Sequence, residues 1–256
     1  MYDWPEVRPH NDELWSLVRD ALQRRGFDAP MALDRDILRE DAWHSSSLLV
    51  GQTCGLPFVS GVNESATVLG TFDYGIDGCD PGDYKSIVVC RTGEARPLAD
   101  FEGCRVAFNG RDSQSGHAAF VATLAPMVRD GAFFSDTIES GAHRRSMQMV
   151  ADGTADVAAV DVVSWLLALD VEPAAGALEV TGSTACTPGL PVITSRTRGA
   201  DRDELNAAIE EATTSLSATA KLALHIRGYV PRLDSEYDLI KQRLAEAVAM
   251  GYPQLA

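Results

Sequence analysis

The chain has 256 residues, 45% of them hydrophobic, and it carries a formal net charge of −15 with an isoelectric point near 4.6. This length and apolar content allow one large domain or two smaller lobes, each with a real core. Acidic residues dominate, and no run of Lys and Arg interleaved with aromatic residues is present. Nucleic acid and an anionic membrane surface are therefore excluded as expected partners.

The N-terminus and the cysteines bear on the compartment. Met1 is followed at once by Tyr2-Asp3-Trp4-Pro5, without a basic stretch and an apolar core, so neither a secretory leader nor a membrane span is predicted. The expected location is periplasmic if a leader was removed and cytoplasmic if the chain is complete as given. The five cysteines form no CxxC pair, and their odd number leaves at least one thiol free. Cys90 and Cys104 lie in apolar runs, which predicts buried, inert thiols.

The first predicted helix spans Glu13 to Arg25, since apolar residues recur there at helical spacing and Gly26 suits a C-terminal cap. A strand is predicted over Ser47 to Gly51, leading directly into Gln52 and Thr53. In open α/β sheets the carboxyl ends of strands face the ligand crevice, so these two side chains are candidate ligand contacts. The alternative for both is a solvated turn.

The next segment prepares a crossing between lobes. Val68 to Thr71 is at most a short strand, whereas Tyr84 to Arg91 predicts a stronger one because its residues are mainly β-branched or apolar. The polar stretch from Thr92 to Leu98 that follows is predicted to be the first crossing.

The central motif lies between Phe101 and Val121. A strand, Cys104 to Phe108, stops at Asn109-Gly110, and the polar run Asp112 to Gly116 then opens a helix that closes at Asp130-Gly131. The start of a helix exposes backbone N–H groups and the positive end of the helix dipole, and flanking hydroxyls add movable donors. The pattern favours an oxyanion site at Ser113 and Ser115. The alternative is that one of these serines is an ordinary N-cap.

Two more strand and helix pairs follow. A helix opens at Ser140-Gly141-Ala142-His143 and ends at Gly153, and a strand from Asp156 to Val160 leads to Asp161 and another helix, Val162 to Leu169. Strands that alternate with helices of this length predict parallel βαβ units.

The C-terminal part returns to the first lobe. A strand over Leu178 to Thr181 precedes a proline-marked second crossing, and helices are predicted from Asp201 to Leu216 and from Tyr237 to Gly251. The predicted domains are a discontinuous lobe 1, residues 1–95 and 185–256, and an inserted lobe 2, residues 96–184. Two connecting strands would serve as a hinge, an arrangement suited to closing around a ligand.

The inserted lobe contains an ordered set of motifs: Leu98-Ala99-Asp100-Phe101-Glu102-Gly103, Asn109, Ser113-x-Ser115-Gly116, Gly141-x-His143 and Val150-Ala151-Asp152-Gly153-x-x-Asp156-Val157-x-x-Val160-Asp161. Together these motifs resemble the substrate-binding proteins of phosphate, phosphite and phosphonate ABC importers. The resemblance extends more weakly to Gln52-Thr53-Cys54-Gly55 and Tyr84-Lys85-Ser86.

The resemblance implies an α/β, periplasmic-binding-protein-like type II fold, in which two βα lobes are joined by a two-strand hinge with a ligand cleft between them. A small phosphorus oxyanion (phosphate, phosphite or phosphonate) would bind there, as cargo of an ABC importer. The ligand's oxygens would lie on the helix start, facing His143 and Asp161. The predicted ligand-binding residues are Ser113, Gln114, Ser115, Gly116, His143, Asp161, Asn109, Tyr84, Gln52 and Thr53.

His143 and Asp161 each carry an open choice. A helix start disfavours an added proton, so a neutral imidazole that donates one N–H is as plausible as a cation, and a local packing role is the alternative. A carboxylate repels an oxyanion unless the ligand brings a proton to share, so Asp161 would favour phosphate monoanion, phosphite or an amine-bearing phosphonate over sulfate. Alternatively, Asp161 caps the helix that follows it.

The sequence is also compatible with two classes of function other than transport. Ser113 or Ser115, His143 and Asp161 contain the ingredients of a hydrolase, but no G-x-S-x-G elbow is present. A ligand sensor of the same fold, not coupled to transport, is the other alternative. Neither a cofactor nor a metal is expected, since the histidines form no H-x-x-x-H pair. The expected partners are the small ligand and an ABC permease, and the expected state is a monomer.

Overall fold

A computed structural model describes residues 2–128 and 131–255, which divide into two compact units. The first unit comprises Met1–Asp83 and Pro188–Tyr237, and the second comprises Tyr84–Thr187 and Asp238–Ala256. Asp130, half of the predicted end of the central helix, lies outside the described residues.

The elements follow in chain order, as bounded in the described part of the chain. The α-helices are α1 (Arg8–Arg24), α2 (Arg39–His44), α3 (Gly55–Ser60), α4 (Ala119–Leu124), α5 (His143–Ala151), α6 (Val162–Val171), α7 (Arg202–Ser215), α8 (Ala218–Leu224) and α9 (Asp238–Ala249). The strands are β1 (Gly51–Gln52), β2 (Ala66–Asp73), β3 (Asp83–Tyr84), β4 (Ser86–Arg91), β5 (Arg105–Phe108), β6 (Asp136–Glu139), β7 (Val157–Asp161), β8 (Leu178–Ser183), β9 (Thr187–Pro188), β10 (Val192–Ser195) and β11 (Gly228–Pro231).

The first unit is built on a four-stranded sheet in the order β1-β10-β2-β11, with every neighbouring pair antiparallel. Helix α1 packs against α7 and buries Leu14, Val18 and Leu22, which lie on one face as their spacing predicts. Gly26 ends α1 with φ +84°, the left-handed conformation that glycine adopts without a Cβ clash.

Two strand predictions in this unit were wrong. Residues 47–50 are irregular, and only Gly51–Gln52 pairs, at the sheet edge beside β10. Local hydroxyl contacts compete with a ladder here, since the Ser47 N–H donates to Ser45 Oγ. Conversely, the segment around Val68, for which at most a short strand was predicted, is part of the eight-residue strand β2. Strands β10 and β11 pair with β2 on both sides and stabilise it despite the glycine that it contains.

The second unit contains a five-stranded sheet in the order β6-β5-β7-β4-β8. Strand β5 runs parallel to β6 and β7, whereas β4 is antiparallel to both β7 and β8. The expectation of parallel units therefore holds only around β5. The core beneath this sheet is aromatic and aliphatic, with Phe101, Phe120 and Leu124 fully buried.

The unit boundaries differ from the predicted lobes of 1–95 with 185–256 and 96–184. Strand β4 belongs to the second unit because it pairs on both sides within that sheet, and residues 92–96 continue there through bonds to Ala177, Glu179 and Thr181. Helix α9 also belongs to the second unit, since Ala247 and the residues after the helix join its core. The chain therefore changes unit at 83/84, 187/188 and 237/238.

Candidate functional site

The helix start after β5 is a buried turn of polar residues. Ser113, Gln114 and Ser115 are 5%, 2% and 3% exposed, and residues Gln114–Ala118 form one turn of π-helix before α4 begins. Ser113 caps this turn, since its Oγ accepts a hydrogen bond from the Gly116 N–H at 3.0 Å. A hydroxyl that accepts one bond still has its own hydrogen to donate, so capping and anion binding are compatible. Short π-helical segments are often found at functional sites.

Ser115 and His143 are brought together although 28 residues separate them. Ser115 Oγ lies 2.9 Å from His143 Nε2, and Ser113 Oγ lies 3.5 Å from Ser115 Oγ. Burial lowers the pKa of His143 to about 4, and the backbone of Ala159 acts weakly in the opposite direction. The imidazole is therefore neutral at pH 7, and the tautomer decides whether His143 Nε2 or the Ser115 hydroxyl donates the hydrogen bond between them.

Gly116 makes room for two other site residues. A Cβ at this position would lie 1.9 Å from Asn109 Oδ1 and 3.1 Å from His143 Cε1. Any side chain larger than hydrogen would therefore displace both neighbours. The Asn109 amide and the His143 ring converge on the same face of the turn, and the absence of a side chain at Gly116 permits it.

Asp161 stands at the end of β7, as predicted, and is 2% exposed. Its Oδ1 accepts hydrogen bonds from the Val163 and Ser164 N–H groups, at 2.8 and 2.9 Å. Asp161 Oδ1 therefore caps α6, which was the alternative role predicted from the sequence. Its backbone pairs with Ser86 across the two strands.

Ser86 and Thr184 support the turn and were not among the predicted site residues. The buried Ser86 Oγ donates to the Ser115 carbonyl at 2.7 Å, and the Ser86 N–H donates to Thr184 Oγ1 at 3.0 Å. The only sequence signal for Ser86 was its place in the short Tyr84-Lys85-Ser86 motif. Thr184 gave no signal, because the pairing of β4 with β8 creates its contact.

The remaining predicted residues are divided between the two units. Tyr84 lies in the second unit and is 2% exposed. Gln52 and Thr53 lie in the first unit, where the Thr53 N–H donates to the Pro191 carbonyl and the Thr53 hydroxyl donates to the Cys54 carbonyl. Gln52 Nε2 is buried and has no hydrogen-bond partner.

His117, on the same turn, is a further buried histidine. Burial, and secondarily the charge of Arg111, lowers its pKa to about 4. Its ring lies 5.7 Å from the Phe108 ring, and neither of its nitrogens has a hydrogen-bond partner. Its position in an apolar environment makes it neutral at pH 7.

Two findings concern the chain as a whole, within residues 2–128 and 131–255. No helix there is both long and apolar enough to cross a membrane. No group of three or more His, Cys, Asp or Glu side chains there could hold a metal ion.

Solved structures show that the chain has the fold of type II periplasmic binding proteins. PhnD1 from Prochlorococcus marinus (MIT 9301), in complex with methylphosphonate, has a TM-score of 0.71 at 15% identity, covering 93% of this chain and 93% of its own. XAC2383 from Xanthomonas citri, bound to chloride ion, has a TM-score of 0.69 at 15% identity, covering 98% and 96%. A binding protein component of an ABC phosphonate transporter from Pseudomonas aeruginosa has a TM-score of 0.65 at 17% identity, covering 94% and 82%.

The sequence itself defines the family. Residues 45–237 match the family described as "ABC transporter, phosphonate, periplasmic substrate-binding protein", and the chain belongs to this family. No protein of curated function matches the chain in sequence. The predicted family and the type II fold are therefore confirmed, and the protein is of the solute-binding kind.

Proposed function

We propose that the protein binds a small phosphorus oxyanion (phosphate, phosphite or a phosphonate) at the turn from Ser113 to Gly116, as the solute-binding component of an ABC importer. The observation that carries the proposal is the part-buried contact of Ser115 with His143, beside the Ser113 cap. Family membership and the methylphosphonate bound to one protein of similar fold support the ligand class.

The energetics favour anion binding despite the net charge of −15. Charges more than about 8 Å from the ligand are largely screened at physiological salt. The hydrogen-bond donors nearest the ligand therefore determine whether an anion binds. A hydrogen bond to a charged group contributes about 1.5–3 kcal/mol, and three or four preorganised donors support micromolar affinity after the costs of association. The Ser113 hydroxyl, one donor from the hydrogen-bonded pair Ser115 and His143, and the backbone N–H groups of the helix start supply that number.

The test is calorimetry with phosphate, phosphite, methylphosphonate, sulfate and malate, on the wild type and on the double variant Ser113→Ala, Ser115→Ala. The double variant should lose at least about a hundredfold in affinity for the phosphorus oxyanion that binds best. Ser217→Ala is the matched control, because Ser217 Oγ caps α8 in the first unit through the Ala220 N–H at 3.1 Å. It should lose a similar N-cap stabilisation, about 1 kcal/mol, without losing affinity.

Two results would contradict the proposal. Wild-type binding of malate or sulfate in preference to every phosphorus oxyanion would assign another ligand class. Unchanged affinity in the double variant would show that the ligand binds elsewhere.

A periplasmic location is proposed together with this function. The family is periplasmic by description, and Cys79 and Cys186 are disulfide-bonded, a state that persists in oxidising compartments. Fractionation of the source organism should recover the protein with periplasmic markers. Recovery with cytoplasmic markers would favour a ligand sensor that is not coupled to transport. Ligand uptake that does not depend on a permease would favour the same alternative.

A hydrolase is the second candidate, because the distance of 2.9 Å between Ser115 Oγ and His143 Nε2 suits a nucleophile and its base. The Asp161 oxygen that caps α6 weakens the case for Asp161 as the orienting acid. Incubation with phosphate and carboxylate esters separates the two functions. A binding protein returns its ligand intact, whereas an enzyme would release alcohol at a rate that Ser115→Ala abolishes.

The proposed state in solution is a monomer, without nucleic acid. Light scattering on the purified protein should give a mass near the 27.5 kDa of one chain.

A further inference from the structure

Asn109 presents a buried hydrogen-bond acceptor that the protein itself does not satisfy. The residue follows β5 directly, and its Oδ1 is buried without a hydrogen-bond partner. Buried acceptors without a donor are uncommon and costly in native proteins, so this one needs a reason.

The position of this oxygen places it in the proposed site. It lies over Gly116, where a Cβ would be only 1.9 Å away, on the face that His143 Cε1 also approaches. The Gly116 N–H donates to Ser113 Oγ, and Ser115 Oγ contacts His143 Nε2, so neither of these hydrogen bonds satisfies the Asn109 oxygen. A molecule bound at the turn could supply the missing donor.

We infer that Asn109 determines specificity by accepting a hydrogen bond from a protonated oxygen of the ligand. The inference rests on the proposed function and narrows it: the site prefers an oxyanion that carries a hydrogen, such as phosphate monoanion, over a fully deprotonated one such as sulfate. The two anions are both tetrahedral, so the proton is the feature that separates them.

A neutral amide oxygen performs this task with less repulsion of the bound anion than a carboxylate would. It accepts the ligand's hydrogen without adding a negative charge that would repel the other oxygens. From the sequence, Asp161 was predicted to discriminate between protonated anions and sulfate. Its Oδ1, however, already accepts two hydrogen bonds from backbone N–H groups at the start of α6.

The experiment measures phosphate and sulfate binding by calorimetry at two pH values, on either side of the second ionisation of phosphate. Sulfate does not titrate in that range, so the ratio of the two affinities cancels any change in the protein's own charge, including His143. In the wild type, the ratio of phosphate to sulfate affinity should fall by at least tenfold as phosphate loses its proton.

Two substitutions of Asn109 should move this ratio in opposite directions. Asn109→Ala removes the acceptor. The ratio of phosphate to sulfate affinity at the lower pH should therefore fall about tenfold, while sulfate affinity stays nearly unchanged. Asn109→Asp keeps the shape and makes the acceptor charged, so sulfate should weaken by at least tenfold and the ratio should rise. If Asn109→Ala does not fold, Asn109→Asp still tests the role of Asn109, because it preserves the shape of the side chain.

Asn206→Ala is the control, because Asn206 Oδ1 accepts a hydrogen bond from the Tyr229 hydroxyl in the first unit, and truncation removes this part-buried bond. Its ratio should match the wild type. If phosphate binds but the ratio is the same in all variants, the role of Asn109 is overturned and the proposed function stands. If the wild type binds no phosphorus oxyanion, the proposed function is overturned, and this inference with it.

Discussion

Gly116→Ala tests whether the face shared by Asn109 and His143 is the binding surface. The new methyl carbon would lie 1.9 Å from Asn109 Oδ1, 2.9 Å from Asn109 Cγ and 3.1 Å from His143 Cε1. Contacts below 3.0 Å do not persist, so the Asn109 side chain must rotate away and the His143 ring must yield by a few tenths of an ångström.

The stability and the affinity should respond differently. Overpacking costs about 1–3 kcal/mol, at the lower end here because the end of one flexible side chain absorbs most of the clash. Alanine in place of glycine within a helical turn returns up to about 1 kcal/mol. The free energy of unfolding should therefore fall by no more than about 2 kcal/mol. Affinity should fall at least tenfold, since a shift of two ligand contacts costs at least one hydrogen bond.

The assay combines urea unfolding with calorimetry, using methylphosphonate as the probe. Gly176→Ala is the matched control, because a Cβ there meets nothing within 4 Å and the glycine lies in the same unit. Adding Asn109→Ala to Gly116→Ala should restore stability by relieving the clash but should not restore affinity. Wild-type affinity in the Gly116→Ala protein would refute the assignment of this face to the ligand.

Three further predictions concern Asp161, His117 and the cysteines. Asp161→Ala should lower the free energy of unfolding by about 1–2 kcal/mol through loss of a helix cap, whereas Asp161→Asn should stay within about 0.5 kcal/mol of the wild type; equal effects in urea unfolding would contradict the capping role. The pKa of His117 falls from 6.5 to about 4 on folding, so the unfolded chain binds more protons and stability should decline as pH drops from 6.5 to 4. His117→Phe should remove up to about 3 kcal/mol of that decline, and an unchanged pH profile would show that His117 is accessible to water. Mass spectrometry after alkylation of the unreduced, denatured protein should find three labelled cysteines, and labels on Cys79 or Cys186 would contradict their oxidation.

Local patterns in the sequence determined much of this protein. The bounds of α6 and α7 were predicted to within two residues and the end of α1 to within one, because apolar spacing and terminal residues act over one or two turns, whereas α1 starts at Arg8, five residues before its predicted start. The helix start at Ser113 and the strand end at Asp161 were found for the same reason. The ordered motifs also identified the family, since they place polar residues at particular strand and helix ends.

Tertiary structure alone decided what each residue contacts. Strand β4 was predicted correctly as a strand but in the wrong lobe, because pairing with β7 and β8 depends on partners about 70 to 95 residues further along the chain. The sequence left open whether Asp161 caps α6, and only the fold shows that its Oδ1 does so and that Ser115 contacts His143. The unsatisfied oxygen of Asn109 emerged only from the fold, because satisfaction of a polar atom depends on every group around it and not on its neighbours in sequence.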